Sequence, residues 1–227
     1  MINDLLLYGA LPYAATVVFL IVTIQRYRQR SFTYSSLSSQ FLENQHHFWG
    51  SVPFHYGLLV VLAGHLLALL LPRAVLWWNA EPLRLYALEI TGLAFALLAL
   101  VGLVNIVVRR ASVPKARVVT TTGDWVLNVL LGTQILSGIG VAIVHGWGSS
   151  WFSSSVSPWL WSLARLDPEV AWVAPLPWLV KVHIVNAWLL IGVFPFTRLV
   201  HVLVVPNPYL WRKTQVVLWN RPRTRSS

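Results

Sequence analysis

The chain has 227 residues, of which 56% are hydrophobic and 11% charged, and its mean hydropathy is +0.64; a soluble domain carries about 25% charged residues, so water is excluded as its main solvent. A net charge of +10 can mark a nucleic-acid binder, but here the basic residues sit at the ends of apolar blocks, where they act as topology signals and attract anionic lipids, so no nucleic-acid partner is expected. There is no cysteine, which excludes disulfides, iron–sulfur ligation and covalent haem attachment within the chain.

A membrane span needs roughly 20 apolar residues and is helical, because lipid cannot satisfy an exposed backbone. Five such blocks follow one another, at about residues 5–24, 53–71, 85–108, 125–144 and 176–205. The first opens with Asp4 and has no basic leader, so it reads as a retained helix rather than a secretory signal. A polar loop with Arg26, Arg28 and Arg30 leads to the second block, which carries His55 and His65. Arg73, Trp77, Trp78 and Arg84 precede the third, which contains Glu89 and ends in Arg109, Arg110, Lys115 and Arg117. Beyond the fourth block, residues 145–175 form a loop rich in Ser, Pro and Trp with one basic residue, Arg165. The fifth carries Lys181, His183, Arg198 and His201, and a basic tail, residues 206–227, closes the chain.

The basic residues after the first, third and fifth blocks mark the cytoplasmic side. The expected fold is therefore a single all-α integral membrane domain over residues 1–227, a five-helix bundle with its N-terminus periplasmic and its C-terminus cytoplasmic, in a bacterial or archaeal cell membrane. Several of the 13 Trp residues, among them Trp125, Trp147, Trp151 and Trp178, fall near block ends as interface anchors.

Four of the seven histidines fall inside spans, where ionisable side chains are rare unless they pair or bind something. On antiparallel helices, His55 and His201 share an inner level and His65 and His183 an outer one. Single membrane histidines also serve as interhelical hydrogen bonders, but two matched levels suit two bis-histidine b haems stacked across the bilayer. Eighteen residues separate His183 from His201, about five turns of one helix, while ten separate His55 from His65. Rises of ~27 Å and ~15 Å do not match for straight helices, so tilt, side-chain reach and a kink at Pro195 are expected to absorb the difference. Gly57 and Gly64 leave room for a flat macrocycle, and Arg198, three residues before His201, is placed to meet a haem propionate or to snorkel. His46, His47 and His145 have no assigned role.

The segments YSSLSSQ (residues 34–40), PFHYG followed by GHLL, RVVTTTGD, KVHI, FPFTRLVHVLVVP and PYLWRKTQ closely resemble, over nearly the whole length, the gamma subunit of membrane-bound respiratory nitrate reductases. That resemblance implies an outer haem on His65 and His183, an inner haem on His55 and His201, quinol oxidation near the outer haem, and electron delivery to a cytoplasmic iron–sulfur beta subunit and a molybdenum alpha subunit. Residues 25–52 and the tail are where those partners are expected to dock. The family's quinol site includes a lysine at the outer start of the third span. This chain has none there, and Arg84 is the nearest basic residue, so Arg84 and Gly64 are the candidates for that site. Two other classes stay open: a cofactor-free anchor, and a transporter-like bundle with Glu89, Lys181 and Arg198 along a path. Within the first class, a related oxyanion reductase or a nitrite oxidoreductase also fits.

Overall fold

The computed structural model describes residues 2–30 and 45–203. The YSSLSSQ stretch, most of the first basic loop and the tail lie outside the described residues, and so do the docking segments assigned to them. All regular structure among the described residues is helical. Five helices are long and apolar enough to cross a membrane: Ile2–Gln29, Trp49–Leu70, Pro82–Ser112, Thr122–Val144 and Trp178–Phe196.

Helix ends follow the local sequence. Pro82 opens the third span, where its missing N–H costs nothing. Thr121 caps the fourth by accepting from the Asp124 amide, while the Asp124 side chain accepts in turn from the Thr121 amide. The second span ends at Leu70, because Pro72 cannot donate to the carbonyl four residues back; a short helix, Pro72–Asn79, then turns away.

The fifth span departs from the continuous helix expected over residues 176–205. Its α-helix stops at Val193, a 3-10 turn covers Phe194–Phe196, Thr197 is extended, and a second 3-10 segment covers Arg198–Leu203. Pro195 is the physical cause. The break means that His183 and His201 are not related by whole turns of one straight helix.

The second and third spans pack along a seam of small residues. A Cβ added at Gly102 would lie 2.3 Å from the Phe54 nitrogen, and one at Gly57 would lie 2.5 Å from the Ala99 nitrogen. Gly57 therefore serves close helix packing rather than making room for a macrocycle. In register, Gly50 meets Ile106, Phe54 meets Gly102 and Gly57 meets Ala99. Seven residues farther along one helix and seven back along the other, the same register sets Gly64 opposite Gly92. At both of these glycines nothing lies within 4 Å of an added Cβ, so the seam opens there.

The third span also packs on the fourth, the fourth on the fifth and the fifth on the first. The second and fifth are not among these packed neighbours; they stand at two sides of a slot. Residues 148–173 cap the end that carries residue 2, with Trp159, 1% exposed, at the centre of a cluster of Tyr8, Val156, Leu163, Val173, Val180 and Ile184. Trp77, Trp147 and Trp178 are exposed near span ends, as interface anchors would be.

The seam makes a stability prediction. Gly102→Val forces backbone apart, and the thermal midpoint in detergent should fall by the equivalent of about 3 kcal/mol or more. Gly92→Ala, in open space on the same seam, should leave the midpoint unchanged or raise it.

Candidate functional site

The four intramembrane histidines meet in two pairs across the slot. The ring centroids of His55 and His201 are 6.2 Å apart, and those of His65 and His183 are 6.4 Å apart. Among the described residues no group of three or more His, Asp or Glu could hold a metal ion; the ligating groups come as opposed pairs. Metal–imidazole bonds of ~2 Å on each side, with each ring centre ~1 Å farther out, place two axial rings about 6 Å apart. Both pairs stand at that spacing.

The backbone also sets which ring nitrogen is available. His55 Nδ1 donates to the Ser51 carbonyl at 2.7 Å, His65 Nδ1 to the Val61 carbonyl at 2.8 Å and His201 Nδ1 to the Arg198 carbonyl at 2.6 Å. A carbonyl can only accept, so Nδ1 carries the proton and Nε2 keeps its lone pair, the form in which histidine ligates metals. Phe152 stacks edge-on against His65 at 5.3 Å and Phe54 against His55 at 5.3 Å.

His183 is held differently, by the fourth span. Gly138 makes room for the ring, since a Cβ there would lie 2.9 Å from His183 Cε1. Asn186 donates to Gln134 Oε1 at 2.7 Å and to the Leu130 carbonyl at 3.0 Å, which turns the Gln134 amide nitrogen toward His183, 3.1 Å from Nε2. Ser137 Oγ donates to the Gln134 carbonyl at 3.2 Å and so accepts from His183 Nδ1 at 3.0 Å. Gln134, Ser137, Gly138 and Asn186 escaped the sequence reading. Two amides inside strongly apolar blocks were the available signal.

At the opposite end, Arg198 Nε and Nη2 form a two-pronged pair with Asp124, at 2.7 and 2.9 Å, and Nη2 also donates to the Val119 carbonyl at 2.8 Å. Arg110 adds a third contact to Asp124 at 3.4 Å. Asp124 is 5% exposed. Arg198 is thus engaged by the fourth span and the turn before it. It ties the TTTGD turn to the broken end of the fifth span, and its own carbonyl holds His201.

At the end carrying residue 2, the Arg84 guanidinium lies against Trp77 and Trp78, 4.8 and 5.4 Å from their centroids, and its Nε is buried with no partner. Gly64, beside His65, borders the open stretch of the seam. Lys181 pairs with Asp4 at 3.9 Å, and Glu89 accepts from Ser149, so Glu89, Lys181 and Arg198 are engaged separately and line no common path.

A family model described as nitrate reductase gamma subunit matches residues 4–220. The chain belongs to that family. It is 32% identical to the respiratory nitrate reductase 1 gamma chain of Escherichia coli K12 over 94% of this chain and 96% of that one. It is 30% identical to the nitrate reductase gamma chain of Bacillus subtilis 168, over 91% and 94% of the two chains. A nitrate reductase-like protein of Mycobacterium tuberculosis matches 97% of this chain at 28% identity, within 35% of its own length. With its five apolar helices, this member of the gamma family is a multi-pass protein of the cell membrane.

The Asp124 cluster gives a second prediction. Asp124→Ala leaves two cations facing one another without their carboxylate, and should lower stability by about 3 kcal/mol in detergent unfolding. Arg198→Lys, which keeps charge but loses the fork, should fall between that variant and the parent.

Proposed function

We propose that the chain is the di-haem cytochrome b anchor of a nitrate-reductase-type complex, oxidising quinol at the periplasmic side and passing electrons inward. The observation that carries this reading is the spacing of two opposed imidazole pairs on spans held apart by a slot, with Nε2 of His55, His65 and His201 left to ligate. His65 and His183 would hold the outer b haem, and His55 and His201 the inner one. Haem so held supplies a one-electron iron couple in each half of the bilayer. Family membership supports the same reading, since the Escherichia coli and Bacillus subtilis relatives are gamma chains of nitrate reductases. An iron–sulfur beta subunit and a molybdenum alpha subunit would dock on the cytoplasmic face, where the basic loops and the tail lie. Nitrate chemistry would take place on those partners.

Each residue's work follows from its contacts. The Ser51, Val61 and Arg198 carbonyls fix the tautomers of three ligands, and Ser137 and Gln134 orient the fourth. The opening between Gly64 and Gly92 lies directly beside His65 and admits a flat ring from the bilayer. Arg84, with a buried and unpartnered Nε, supplies a donor for a quinol oxygen near that opening. Releasing the protons of quinol outside while electrons move inward separates charge against the membrane potential, at ~2.3 kcal/mol per charge per 100 mV, so the acceptor must lie well downhill.

Pyridine haemochrome analysis of the purified chain should give two b haems, and one or none would refute the assignment. His55→Ala or His201→Ala should remove the inner haem, and His65→Ala or His183→Ala the outer. Loss of both from every variant would leave the pairing without support. Arg84→Ala should slow quinol oxidation several-fold while electron entry from a soluble viologen at the partner subunits stays intact. Quinol turnover in sealed vesicles should acidify the compartment facing the N-terminus, and acidification of the other side would defeat the outer-site mechanism.

A further inference from the structure

Glu89 is a carboxylate inside an apolar span, a placement that is costly unless the group does something. It lies one turn outward of Gly92 on the same face of the third span, ~4.5 Å along the axis, at the mouth of the opening between Gly92 and Gly64. Its Oε1 accepts from the Ser149 amide at 2.8 Å and the Ser149 hydroxyl at 2.6 Å. Oε2 accepts no hydrogen bond among the described residues and lies against Gly148, where an added Cβ would be 3.4 Å away. The helical stretch that begins at Gly148 carries Phe152, whose ring packs on His65, so one rigid segment joins the carboxylate to the outer histidine pair. On its outward side Ser149 Oγ receives a bond from Asn79 Nδ2 at 2.8 Å. Asn79 Oδ1 is buried with no donor on it.

We propose that Glu89 is the proton acceptor for quinol oxidation, and that Ser149, itself held by Asn79, aims its carboxylate. The inference rests on the di-haem quinol reading above. Quinol has two electrons and two protons to lose. In each half of the reaction an O–H bond breaks, the proton goes to Glu89 Oε2, and the electron would pass to the one-electron couple of the haem that His65 and His183 would hold. The carboxyl then releases its proton from Oε2 to the outer side before the second half, and quinone leaves. Oε1 is committed to Ser149 throughout, which keeps the carboxylate aimed while Oε2 gains and loses the proton.

The test compares the parent with Glu89→Gln in the assembled complex. Glutamine keeps the acceptor for Ser149 but cannot take a proton. Turnover with a water-soluble quinol should fall about a hundredfold, the scale of a lost general base. Fluorescence quenching of a bound hydroxyquinoline N-oxide, haem content and viologen-driven nitrate reduction should all stay at parental values. Glu89→Asp should recover part of the rate. A Gln variant that turns over quinol like the parent would overturn the proposal, as would one that loses analogue binding in step with turnover, since that is a binding role. Infrared difference spectra of the parent, quinol-reduced minus oxidised, should show a protonated carboxyl band that shifts in deuterated water. Absence of that band overturns the proposal even if the Gln variant does not assemble. Failure of the underlying reading is distinct: the parent itself would then lack haem or quinol turnover.

Discussion

Lipid has no hydrogen bonds to lend, so each proline in a span obliges another side chain to answer the carbonyl it leaves without a donor. Pro12 has no N–H for the Tyr8 carbonyl. The helix loosens there into a π turn, Leu6–Ala10, and Trp159 Nε1 donates to Tyr8 at 3.0 Å. Pro53 releases the Trp49 carbonyl, and Asn105 on the third span reaches it at 3.5 Å. Pro72 releases Ala68, which Ser157 takes at 2.8 Å, while Trp161 takes Leu69 at 3.0 Å. At the broken fifth span, Arg26 donates to the Pro195 carbonyl at 2.6 Å and to Thr197 at 3.3 Å. Each repair ties two distant stretches of chain together. His55 and His201 stand within a few residues of the repaired breaks at Pro53 and Thr197, so the geometry of that end of the slot depends on them.

The five spans and the two histidine levels were legible because both rest on simple periodicity and length. Apolar runs of bilayer thickness declare themselves, and antiparallel order alone sets His65 level with His183. The break at Thr197 was less legible: a proline announces a kink, but whether the chain resumes as α-helix or as a 3-10 segment depends on what meets the freed carbonyls, here Arg26 from a helix about 170 residues earlier. The ion pair of Arg198 was illegible for a similar reason: its neighbours in sequence place it beside His201, whereas Asp124 lies 74 residues away. Gly57 and Gly64 looked alike in sequence; only the seam with the third span separates a packing glycine from one that borders open space.

The two histidine pairs differ in how they are braced. His55 and His201 are oriented by their own helices, through carbonyls three or four residues away. His183 instead depends on a neighbouring span, through a relay from Leu130 and Asn186 to Gln134. A ligand oriented by its own turn is as rigid as that turn, while one oriented across an interface inherits the stiffness of the interface. In the proposed reading the outer level is also the one that meets substrate.

The interruption at Thr197 has a mechanical consequence. An unbroken helix through both histidines would behave as a shaft, and any rotation or push at the end that carries His201 would turn His183 as well. With an extended residue between the α-helix and the 3-10 segment, the last stretch is a separate lever, hinged at Thr197 and clamped to the fourth span by the Asp124 pair. Load applied to that stretch is therefore passed sideways into the fourth span rather than along the fifth, and it can reach His183 only through the side chains by which the fourth span holds that ring.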